Sequence, residues 1–164
     1  MPFEDQHDSL SLWRAAEAGD LESICAALNR GAEVNDRDAR GITPLHAAAA
    51  AGKAAAAQLL LSRGAEVGVR TNAGCTPLHY AAAVGECPVM EVLIEGGAGV
   101  NVPGENGRTP LHVTAEKGHL EGAHLLLARG ADLDARGRDG RTPLESATSR
   151  EMAELLARPQ RPRA

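Results

Sequence analysis

Aromatic residues are nearly absent from this chain of 164 residues: Phe3, Trp13 and Tyr80 are the whole set. Without large rings a deep central core cannot be filled, and the abundance of Ala and Gly points to thin layers in close approach. Cysteine is scarce as well. Cys25, Cys75 and Cys87 cannot all pair within one chain, which excludes a disulfide framework and suits a reducing compartment. No apolar run reaches the roughly 18 residues of a membrane span. The first 15 residues, with Glu4, Asp5 and Asp8, lack the basic-then-apolar order of a secretory signal. A soluble cytoplasmic protein is expected; a nuclear protein, or an effector exported by a dedicated route, would share these features. Positive charge is not in excess either. The net charge of −5 argues against a dedicated nucleic-acid binder. Acidic residues outnumber basic ones over 1–66 and 67–106, and the balance reverses over 107–164.

Periodicity fills the space left by these absences. Thr-Pro-Leu begins at Thr43, Thr76, Thr109 and Thr142, at intervals of 33 residues. Gly19, Gly52, Gly85 and Gly118 keep the same interval, as do Gly31, Gly64, Gly97 and Gly130, each followed by Ala. Gly41, Gly74, Gly107 and Gly140 form a further column, and Leu12, Leu45, Leu78, Leu111 and Leu144 run through every unit. Thr followed by Pro is a helix start, because the hydroxyl caps a free N–H and Pro fits the first turn. A short helix over His46–Ala51 then ends at Gly52, and a second from about Lys53 to Arg63 ends at Gly64. Residues 65–73, with Val67 and Val69, read as a β-turn or hairpin arm leading to Gly74. One such helix pair cannot bury its own apolar faces, but a stack can.

Three full units, 41–73, 74–106 and 107–139, stand between altered ends. At the front, Leu12-Trp13-Arg14-Ala15-Ala16 aligns with Leu45-His46-Ala47-Ala48-Ala49 but lacks Thr-Pro. At the back, Glu151–Leu156 arrives four residues early after a normal Thr142-Pro143-Leu144 start. The division expected is a disordered 1–8, one domain over 9–157 with caps at 9–40 and 140–157, and a flexible tail at 158–164.

Thr109-Pro110-Leu111-His112, with Ala115, Gly118-His119-Leu120-Glu121, Leu125-Leu126-Leu127 and Gly130-Ala131-Asp132, resembles an ankyrin repeat. Thr43–His46 and Thr76–His79 repeat that signature, and the likeness covers about residues 9–157. It implies an all-α solenoid of helix–turn–helix units linked by β-hairpin or turn loops. It further implies a monomer that binds a protein partner along its concave side. Compact ankyrin inhibitors of cell-cycle kinases are of comparable length, but their second unit has a degraded first helix, whereas His46–Ala51 reads as regular. Two departures stand out. Ala54–Ala57 should pack thinly, and the glycine-rich link Gly96–Gly104 should be the most mobile joint.

Candidate chemistry is thin. Neighbouring helices lie about 8–10 Å apart, too far for His46, His79 and His112 to share an ion through bonds of about 2 Å. The resemblance instead gives each His a bond to its Thr and to backbone of the next unit. His119 and His124 diverge on one helix. Cys75, beside Gly74, reads as exposed, but none of the three thiols has a partnered His. Gly52-Lys53 lacks the strand and Ser/Thr of a phosphate loop. Neither an enzyme nor a cofactor nor a metal is expected. Asn35 and Asn101 stand where ankyrin asparagines can be hydroxylated, and a turn-stabilising role is the simpler reading. The tail Arg158–Arg163 holds a Pro-x-x-Pro and reads as a disordered end.

The resemblance places the partner on hairpin tips and first-helix ends. Unit by unit these are Ala39, Arg40, Ile42, Ala50 and Ala51, then Asn72, Ala73, Cys75, Ala83 and Val84. Glu105, Asn106, Arg108, Glu116 and Lys117 follow, and then Arg138, Asp139 and Arg141. The front of this strip is small and apolar and its back is charged. Interface anchors favour Tyr and Arg, which singles out Tyr80 with Arg108, Arg138 and Arg141, and suggests a partner with an acidic patch. Trp13 aligns with a capping position and reads as core.

Overall fold

The computed structural model describes residues 5–157, with side chains from residue 11 onward. Residues 158–164 and the Pro-x-x-Pro lie outside the described residues. The first helix starts at Asp5, inside the stretch 1–8 expected to be disordered. Without the Thr-Pro start of the later units, nothing fixes its beginning at the unit boundary.

Nine α-helices occur among the described residues. They are α1 (Asp5–Ala18), α2 (Leu21–Asn29), α3 (Pro44–Ala50), α4 (Ala54–Ser62) and α5 (Pro77–Val84). α6 (Cys87–Glu95), α7 (Pro110–Lys117), α8 (Leu120–Ala128) and α9 (Arg150–Ala157) complete the set. α1, α3, α5 and α7 pack side by side in an inner row, and α2, α4, α6 and α8 in an outer one. The links between units are hairpin-shaped but contain no strand among the described residues. Two backbone bonds close each tip, such as Asp38 N–H to the Ile42 carbonyl and Gly41 N–H to the Asp38 carbonyl, and likewise around Thr71–Cys75, Gly104–Arg108 and Gly137–Arg141.

The core is one continuous cluster drawn from equivalent positions of successive units. Leu12, Leu45, Leu78 and Leu111 are buried in the inner row, and Ala27, Leu60, Leu93 and Leu126 in the outer. Each buried Leu contributes about 2 kcal/mol relative to an exposed one. Leu144 breaks the first column: it sits in a 3₁₀ turn, Leu144–Ser146, and is 38% exposed. The four-residue deficit of the last unit leaves that turn no room to become a helix, and α9 covers the stack with Met152, Leu155 and Leu156 instead. In the outer row the column Ile24, Ala57, Met90, Ala123 alternates large and small, all buried. Ala56 and Ala57 are therefore part of a closed core.

Candidate protein-binding face

The residues that tempted a catalytic reading join one unit to the next. In α3 the backbone N–H of Thr43 donates to Nδ1 of His46 at 3.2 Å, so Nδ1 is the acceptor and the proton sits on Nε2. Nε2–H then donates to the carbonyl of Cys75 in the following unit, at 3.2 Å. His79 repeats this with Thr76 and the Arg108 carbonyl, and His112 with Thr109 and the Arg141 carbonyl. Burial holds His46 in its neutral form, with a pKa lowered to about 4, and lowers that of His79 as well. Among the described residues no group of three His, Cys, Asp or Glu could hold a metal ion.

Asn35 is equally occupied. Its amide donates to the Gly64 carbonyl at 3.1 Å and accepts from Glu66 N–H at 2.8 Å. Asn101 makes the same pair with Gly130 and Asp132. Both carboxamides are clamps between neighbouring hairpins. Cys75 is half-buried, against the exposed position expected, with its N–H donating to the Thr71 hydroxyl and its carbonyl accepting from His46. Burial and then Glu121 and Glu91 push the Cys87 thiol pKa up, away from a reactive thiolate. Trp13 is half-buried, with an enclosed Nε1 that has no hydrogen-bond partner among the described residues.

The residues expected to meet a partner divide by exposure. Ala39, Arg40, Ala50, Asn72, Ala73, Val84, Glu105, Asn106, Glu116, Lys117, Arg138, Asp139 and Arg141 are exposed. Ile42, Ala51, Cys75, Tyr80, Ala83 and Arg108 are half-buried. Tyr80 stands edge-on to the His46 ring, with centroids 5.2 Å apart, and so is braced from the unit before it. Burial, followed by the nearby Cys75, raises its phenol pKa, and its hydroxyl has no hydrogen-bond partner among the described residues. Val84, at the end of the same helix, is 43% exposed.

Two inner-face residues escaped sequence reasoning. Ala47 and Val113 occupy the column of Tyr80 in the flanking units and are half-buried. The 33-residue interval would have found both. Most of the charge on the strip is internally matched. Arg40 pairs with Asp38 at 3.2 Å, Arg108 with Glu116, and Arg141 approaches Asp139 at 4.0 Å. Asp38 is pulled upward in pKa by burial, but N–H groups of Ile42 and Arg40 and the Arg40 guanidinium hold it below the usual carboxylate value. Arg138 and Lys117 have no ion-pair partner among the described residues.

Helix pairs in two rows, closed by Thr-Pro-Leu-His caps and joined through histidine to the next unit's backbone, define a helical repeat solenoid. A family model described as Ankyrin repeats (3 copies) matches residues 12–104 and 83–163, and the chain belongs to the ankyrin-repeat family. A search of curated proteins found no match. Ankyrin repeats are generally non-catalytic protein–protein interaction modules. No helix among the described residues is long and apolar enough to cross a membrane.

Proposed function

We propose that this chain binds a protein partner across hairpin tips and inner helices, the face that is concave in its family, as an adaptor, inhibitor or effector. The observation that carries the reading is Tyr80. It is an aromatic braced by His46 with a free hydroxyl, in a lane of small apolar side chains (Ile42, Ala47, Ala83 and Val113). Large amphipathic rings in such surroundings are the usual anchors of interfaces. The partner presents an apolar segment to this lane. Acidic groups on it meet the rear of the strip, where Arg138 and Lys117 carry the unmatched charge.

The test is capture of partners from native lysate with wild type, Tyr80→Ala/Val84→Glu, and an outer-helix control, Gln58→Glu. A partner held by wild type and control but lost by the double variant is expected. Binding of that partner by Lys117→Glu/Arg138→Glu should form more slowly at low salt. Capture that survives the Tyr80 and Val84 changes would overturn the placement of the interface, and an unaltered association rate would remove the acidic patch from it.

A further inference from the structure

The hydrogen bonds that tie each hairpin to the next are unevenly distributed. Between the hairpins of the front cap and of unit 41–73, Asn35 clamps Gly64 and Glu66, and Arg37 donates to the Arg70 carbonyl at 2.6 Å. At the tips, Asn72 N–H reaches the Arg40 carbonyl and the Asn72 amide the Ala39 carbonyl. Between units 74–106 and 107–139, Asn101 clamps Gly130 and Asp132, and Arg138 N–H reaches the Asn106 carbonyl.

The middle joint has less. Gly68 stands where its neighbours have Asn35 and Asn101, so no clamp forms. Its would-be partners, the Gly97 carbonyl and Gly99 N–H, have no hydrogen bond among the described residues. The tip bond is missing too, because Asn106 turns to a positive φ of 54° within a 3₁₀ turn, Glu105–Gly107, that holds that tip differently. Gly96 replaces the arginine found at this place in the other units (Arg30, Arg63, Arg129). A groove of about 370 Å³, lined by Leu61, Val67, Val92 and Glu95, opens at the same joint on the outer side. Arg70 to the Pro103 carbonyl and His46 to the Cys75 carbonyl are the bonds from hairpin or helix that remain.

We propose that the stack is articulated between units 41–73 and 74–106, its front and back halves rocking about the joint that Gly68 leaves unclamped. The face offered to a partner then widens and narrows at Tyr80, on the first helix beyond the joint. The loose side of the link Gly96–Gly104 is the side facing Gly68, since its other side is held by Asn101.

Exposed outer-helix positions 29, 62, 95 and 128 repeat at the unit interval and suit spin labels. With the three native cysteines replaced, distance distributions for pairs 29/62, 62/95 and 95/128 report the three joints. The 62/95 distribution is expected to be the broadest, and G68N to narrow it to the width of the others. Gly68 has no positive φ and nothing within 4 Å of a built Cβ, so Asn fits there. In unlabelled protein with native cysteines, G68N should slow hydrogen exchange at the Gly99 amide roughly tenfold by giving it an acceptor. A 62/95 distribution no broader than both others overturns the articulation. An unchanged 62/95 width or Gly99 exchange in G68N overturns its assignment to the missing clamp.

Discussion

A buried histidine that must stay neutral makes stability depend on acid. His46 is fully buried, its Nδ1 accepts from Thr43, and its pKa falls from 6.5 to about 4. Between those values the unfolded chain binds a proton that the folded chain refuses. The stabilisation is therefore complete above about pH 6.5 and drains away as pH falls toward 4, by about 3 kcal/mol for this residue. Urea unfolding at pH 7, 5.5 and 4 should show the gap between wild type and His46→Gln closing as acidity rises. A gap that stays constant would contradict the neutral, buried assignment. The identity of these histidines as framework was legible from Thr-Pro-Leu-His in phase. The pairing of Arg108 with Glu116 was not, because two residues eight apart, one on a tip and one at a helix end, give no periodic signal.

Helix ends show how far a column can be read and where neighbours decide. Gly64 and Gly85 both take positive φ, 90° and 77°, as expected of glycines that close helices. A Cβ on Gly64 meets nothing within 4 Å, whereas one on Gly85 would come within 2.6 Å of the His119 ring. That ring is itself bonded to the Ala83 carbonyl at 3.1 Å. Gly64→Ala should cost about 1–2 kcal/mol, the left-handed penalty alone. Gly85→Ala should cost at least about 1 kcal/mol more, as His119 gives up its bond. Thermal melts of the two variants would measure the difference, and equal losses would mean that His119 yields freely. The helix boundaries were legible because Thr-Pro and Gly act locally. The fate of Leu144 was not, since its exposure follows from a deletion farther along the chain.

For the whole molecule, the joints decide how far one unit feels another. Asn101→Ala removes both side-chain bonds that Asn101 makes across the last full joint and should lower stability by about 1–2 kcal/mol, read from the midpoint of chemical unfolding. No measurable loss would show that these clamps are replaced by solvent without consequence. The solenoid was legible because residue columns recur at 33-residue intervals through three full units and into both altered ends, and the expectation that Gly96–Gly104 is loose came from composition alone. Which side of that link is loose follows from bonds between residues about 30 apart, a relation that becomes visible only when hairpins lie side by side.

The histidine bonds have one more property. His46, His79 and His112 each reach a carbonyl 29 residues ahead. Copying or excising a 33-residue segment reproduces or removes donor and acceptor together, so the gene can lengthen or shorten the array by whole modules without any bond being redesigned. An insertion of two or three residues inside a module has no such freedom, and it would uncouple every pairing that spans it.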